Sequence, residues 1–164
     1  MTLAEDRERG LAEERQRPVL VGYGDDPYSW ALEQAELLRD GRLDLIDAAN
    51  LADEITTLVH YLADKLRSDL SRILQHLLEW DHQTEVRSRS WCLSITEHRR
   101  RVVEHLEGGP GLKSILPKLL AEAYRNGRRY ALDETGLPQR AMPETCPYAW
   151  DEIMHRPIEW PETP

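Results

Sequence analysis

From Asp44 to Asp81 the chain contains neither proline nor glycine, and Leu51, Ile55, Leu58, Leu62, Leu66, Leu70, Ile73, Leu77 and Trp80 recur at steps of three and four. Val59, Ala63, Leu74 and Leu78 widen the same stripe. This spacing predicts one helix that starts near Asp44 or Asp47 and ends near Asp81. At 1.5 Å per residue it is roughly 50 Å long, too long for one short neighbour to cover. Several shorter helices must therefore pack along it, from the same chain or from a second copy.

The flanking sequence supplies them. Asp26 is placed to cap a helix with Pro27 at its first position, and Gly41 to end it. That first helix runs to about Asp40, with Trp30, Gln34, Leu37 and Leu38 along one side. A third spans about Ser90 to Glu107, with Trp91, Ile95, His98, Val102 and Leu106 on one face. Gly108-Gly-Pro-Gly111 breaks the chain, and a fourth helix spans about Ser114 to Glu134, with Pro117 tolerable in its first turn. Leu116, Leu119, Leu120, Ala123 and Tyr130 form its stripe, and Gly136 stops it. The last 28 residues hold six prolines and read as extended chain and turns around a short helix at 148–155. No strand-like alternation occurs. The fold class is all-α: an irregular bundle of four main helices organised on one long helix, with an extended proline-rich C-terminal segment. Residues 23–164 form a single domain, and residues 1–22 form a charged appendage. Its Thr2-Leu-Ala-Glu5 capping box could start a short helix with few apolar residues to hold it down.

Charge is uneven along the chain. Residues 1–54 carry 14 acids and 6 bases, residues 82–130 carry 5 and 10, and residues 131–164 carry 7 and 2. The net charge of −9 disfavours a whole-protein nucleic-acid binder. The basic centre is then expected to pair with the acidic first helix or tail. Two cysteines, Cys92 and Cys146, cannot build a disulfide framework or a four-cysteine zinc site. They read as buried, inert thiols of a reducing cytoplasm. No run of 18 apolar residues and no secretory leader is present, so membrane association is not expected.

No phosphate-binding glycine loop, nucleophile elbow or His-Glu-x-x-His helix occurs. The candidate chemistry lies on the long helix, where Asp69, Arg72, His76 and Trp80 follow helical steps. Asp69, His76 and Trp80 fall at the margin of the apolar arc, with Arg72 just outside it. A histidine beside a carboxylate and a guanidinium could act as a general base or hold an anion. An Asp69–Arg72 ion pair and a histidine anchoring a neighbouring helix would satisfy the same pattern. Arg87-Ser-Arg-Ser90-Trp91 opens the third helix, where Ser88 or Ser90 could cap it or help hold a phosphate. Arg87, Ser90, Trp91 and Arg100 therefore extend the candidate site. His60 with Asp64, and His98 with His105, share helix faces. The first pair reads as a solvated face, and His98 as a hydrogen-bonded core histidine. Trp150 and Trp160 are expected to clamp the tail onto the bundle.

Several of these segments together resemble a known family. Tyr28-x-Trp30-Ala-Leu-Glu-Gln-Ala-Glu-Leu-Leu-Arg39, His76-Leu-Leu-x-Trp80, Arg87-Ser-x-Ser-Trp91, Thr96-Glu-x-x-Arg100, Glu134-Thr-Gly-Leu137 and Pro143-x-x-Cys146-Pro-Tyr148 occur in order. They resemble the motifs of the bacterial family called domain of unknown function 29, over about residues 23–150. Departures fall at Thr56, Glu79, His98 and Met142. The resemblance implies a small all-α bacterial protein and no established activity or catalytic residue.

The reading expected first is a non-enzymatic, cytoplasmic interaction module with a protein partner or a second copy of itself. The alternatives are a small-anion binder or hydrolase-like enzyme at the Asp69/Arg72/His76 margin, and a nucleic-acid-associated protein using Arg87–Arg101. No catalytic residue, metal or cofactor is assigned.

Overall fold

In the computed structural model, which describes residues 20–160, the fold is all-α. Five α-helices occur among these residues: α1 (Pro27–Arg39), α2 (Ala48–His82), α3 (Arg89–Gly108), α4 (Leu116–Thr135) and α5 (Trp150–His155). The charged appendage and its capping box lie outside the described residues, apart from the last few positions before Tyr23. The chain divides into two compact units, one ending at Thr56 and one starting at Thr57.

The first unit is built by capping. Asp26 accepts the Tyr28 and Ser29 backbone N–H groups, each at 3.1 Å, and Pro27 opens α1. After Asp40, Gly41 takes the left-handed conformation (φ 71°). Its N–H bonds the Leu38 carbonyl while that of Arg42 bonds the Leu37 carbonyl, so the last carbonyls of α1 are satisfied as in a Schellman ending. Gln34, buried, accepts the Asp47 N–H at 2.7 Å, and Asp47 in turn accepts the Asn50 backbone and amide groups. Tyr23 donates to Glu54 at 2.5 Å and sets its ring edge-on to the buried Trp30.

In the second unit α2 is the axis of the core. Leu66, Leu70, Ile73, Leu74, Leu77 and Leu78 are fully buried against Ile95 and Val102 of α3 and Leu119, Ala123, Tyr124 and Ala131 of α4. Met142 and Ile153, with Met154, close the cluster from the C-terminal segment. At roughly 1.5–3 kcal/mol per buried side chain of this kind, the cluster is the main source of stability in the unit. Gly127 lets α4 cross α2 closely. A Cβ there would stand 2.6 Å from the Ser71 carbonyl oxygen and 3.0 Å from the Gln75 nitrogen.

The C-terminal segment has few backbone partners of its own, and side chains supply them. Arg128 donates to the carbonyls of Gln139 (2.6 Å) and Met142 (3.1 Å), and Tyr124 donates to that of Pro143 (2.6 Å). Arg99 caps α5 from outside, reaching the carbonyls of Glu152, Ile153 and Arg156 at 2.7–3.1 Å. Tyr148 and Arg156 both donate to Asp81 of α2.

Within the second unit the apolar stripe of α2 is covered only in part: Leu58, Val59 and Leu62 are 55 %, 57 % and 40 % exposed, against 0 % for Leu66. Within the first unit Ile55 is likewise exposed. One expectation needs correction: of the two tail tryptophans, Trp150 packs on the core, but Trp160 is exposed and is not among the described residues that pack on the cluster. Ile158 is the last described residue that packs on the cluster, and Trp160 lies two positions beyond it.

Candidate functional site

The polar residues of α2 that the sequence singles out are held in separate groups. Asp69 is buried and bridges two histidines of α3: His98 Nδ1 lies 2.6 Å from Oδ1 and His105 Nε2 lies 2.7 Å from Oδ2. An ionised carboxylate only accepts, so the facing nitrogen of each ring carries the proton. The two histidines are seven residues apart, close to two helical turns, and present one edge of α3 to one carboxylate. Neither Arg72 nor His76 bonds Asp69.

His76 turns instead to Glu79, one turn on, with Nδ1 at 2.7 Å from Oε2. Glu79 is fully buried, and its other oxygen accepts Gln75 Nε2 at 2.8 Å. Gln75 in turn accepts from Arg72 Nη1 at 2.9 Å. Arg72, Gln75, Glu79 and His76 thus form one hydrogen-bonded chain along α2. Such a chain is what a buried carboxylate requires, since an unpaired one would cost several kcal/mol. Trp91, half-buried, stacks its ring on His76 with centroids 6.5 Å apart.

The remaining candidates are structural anchors in this geometry. Arg87 lies over the Trp80 ring at 4.5 Å and donates to the Trp80 carbonyl at 2.9 Å, capping the end of α2. Ser88, not Ser90, caps α3 by accepting the Trp91 N–H, and Ser90 bonds the Ser88 hydroxyl. Arg100 pairs with Glu97 and Glu104 on the exposed side of α3, and Arg101 pairs with Glu97. These two guanidinium groups hold the Glu97 carboxyl down at about 2. The arginines of the basic centre were expected to pair with the acidic first helix or tail. Arg100 and Arg101 are instead matched within α3, and Arg99 is spent on the backbone carbonyls of α5. Helical i,i+3 and i,i+4 neighbours are simply nearer.

A third polar group was not visible as a site in the sequence. Asp81 receives both nitrogens of Arg156 and the Tyr148 hydroxyl, the latter at 2.8 Å. Burial works to raise the Asp81 carboxyl, but the bonds from Arg156 and Tyr148 outweigh it and leave it below the ordinary value. Burial, together with the bond to Asp81, pushes the Tyr148 phenol far up. Cys146 and Cys92 are both raised by burial, so neither is an activated thiolate. Among the described residues no group of three or more His, Cys, Asp or Glu side chains could hold a metal ion. No described helix is long and apolar enough to cross a membrane.

What the fold and these groups define is an all-α protein whose second unit is bound together by histidine–carboxylate and arginine–carbonyl contacts. Residues 23–158 match the model of the family described as "Domain of unknown function DUF29", and the chain belongs to that family. No curated protein and no solved structure matches it.

Proposed function

We propose that this chain is a helical interaction module that pairs with a second copy of itself through the N-terminal half of α2. One observation carries the reading: Leu58, Val59 and Leu62 continue the core stripe of Leu66 and Leu70 along the same helix, yet stand exposed. Contiguous apolar surface on a helix is stabilised by a partner. Ile55, Leu58 and Leu62 repeat at steps of three and four, the seam spacing of paired helices.

A second copy is the occupant this stripe suits: across a two-fold axis, Leu58 and Leu62 of one copy meet the same residues of the other, and an antiparallel contact of that kind is self-complementary. The seam is short, so an affinity on the order of micromolar is expected.

Sedimentation velocity over a concentration series tests this. The wild type should pass from monomer to dimer, and L58E/L62E, at exposed positions, should stay monomeric with an unchanged helical spectrum. A wild type that stays monomeric up to about 100 μM, where so small an interface would show itself, overturns the reading.

A further inference from the structure

Arg72 points to a second site, independent of the helix pairing. The residue is exposed, and among the described residues it has no carboxylate partner. Its one hydrogen bond goes to the neutral amide of Gln75, and its guanidinium lies 5.6 Å from the centroid of the Tyr130 ring. With Tyr130 it lines a cleft of about 180 Å³ between α2 and α4. Asp64, Arg67, Ser68, Ser71 and Arg72 line it from α2, and Asn126 and Tyr130 from α4.

The cleft follows from residue size. Serines at 68 and 71 leave room on α2, while Gly127, next to Asn126, lets α4 approach the Ser71 carbonyl. Ser71 itself is satisfied, because its hydroxyl donates to the Arg67 carbonyl at 2.8 Å. The Ser68 hydroxyl, the Asn126 amide and the Tyr130 hydroxyl make no hydrogen bond to another described residue. Asp64, the one carboxylate in the lining, pairs with Arg67 at 2.8 Å, and Glu122 approaches the same guanidinium at 3.4 Å, so the lining acid is engaged by Arg67 and Arg72 keeps its charge unmatched by a carboxylate among the described residues. Arg129 also lies over the Tyr130 ring, 4.7 Å from its centroid, outside the cleft's lining.

We propose that this cleft binds a small oxyanion, with Arg72 as the charged ligand and Ser68, Asn126 and Tyr130 as neutral donors. A guanidinium presents several N–H groups in a plane suited to carboxylate or phosphate oxygens, and only one here is used. The volume admits a single phosphate or carboxylate group with its waters. The site therefore takes a free oxyanion or the charged end of a longer molecule. It lies apart from the Asp69 group and meets the His76 group only through the single bond from Arg72 to Gln75, and both groups are closed by their own partners.

Titrating inorganic phosphate, and separately acetate, into 15N-labelled protein at constant ionic strength tests the proposal. Chloride at matched ionic strength is the reference. Saturable shifts of the Asn126 side-chain amide and the Ser68 backbone amide are expected with at least one of the two probes. Which one saturates identifies phosphate or carboxylate as the ligand chemistry. R72Q, at an exposed position, should weaken binding at least tenfold, and K118Q, away from the cleft on α4, should leave it unchanged. Shifts that chloride reproduces, or that persist unchanged in R72Q, overturn the proposal, as does no saturation with either probe.

Discussion

Gly127 of α4 sits against the backbone of Ser71 in α2 so closely that a methyl group on it would stand 2.6 Å from the Ser71 carbonyl oxygen. Alanine improves helix propensity over glycine by about 1 kcal/mol. Here the gain is outweighed, because the contact is with backbone and no side chain can rotate away. Overpacking of this kind costs about 1–3 kcal/mol before the propensity gain is subtracted. G127A should therefore lower the urea midpoint without changing the m-value. A midpoint equal to or above the wild type's would mean that the two helices can separate freely at this crossing.

Asp69 holds two histidines that no other carboxylate among the described residues reaches. D69A leaves the His98 and His105 N–H groups without their acceptor in a largely buried setting, a loss of about 2–4 kcal/mol. D69N keeps one acceptor and should cost less. A double-mutant cycle of D69A with H98A should give a coupling above about 0.5 kcal/mol, the threshold for residues in direct contact. Additive effects in urea unfolding would show that the observed hydrogen bond contributes nothing to stability.

Much of this architecture is legible in the sequence, because periodicity and caps are local. Asp26-Pro27, Gly41 and Gly136 mark helix ends where the structure places them, and the three- and four-residue steps fix which face of α2 is apolar. Periodicity does not say what covers that face, so the change from exposed Leu62 to buried Leu66 has no sequence signal. The site divides the same way. His98 and His105 announce a shared face by their spacing, but their acceptor is 29 and 36 residues away. Glu79 stands three residues after His76 and four after Gln75, but its position falls among core leucines, where a carboxylate is not expected. Arg99 and Arg128 bind backbone carbonyls, which carry no residue-type signature at all.

The tail should loosen in acid through Asp81. Its carboxyl titrates below the ordinary value in the folded chain, despite burial, because Arg156 and Tyr148 donate to it. A depressed folded value means the contribution is complete above the unfolded carboxylate value, near 4, and is lost as pH falls through the lower folded one. D81N should be destabilised by about 1–3 kcal/mol at neutral pH. The gap between wild type and D81N should close as pH drops below about 4. Thermal unfolding of both proteins across that range checks it, and a gap independent of pH would detach the effect from Asp81 ionisation.

Two leucines four residues apart on one helix stripe offer the sharpest contrast. Leu66 is fully buried and Leu62 is 40 % exposed. Truncating a buried leucine removes its transfer energy and leaves a cavity, costing about 2–5 kcal/mol. L66A should fall in that range. L62A removes a side chain that water already reaches, so a loss within about 0.5 kcal/mol is expected when unfolding is followed at concentrations too low for association. Run at high concentration, the same L62A measurement should show an added loss, because pairing stabilises only the folded form. The concentration dependence of the L62A effect then separates a covered face from a bare one. A loss as large as that of L66A at every concentration would mean that Leu62 is packed within the single chain.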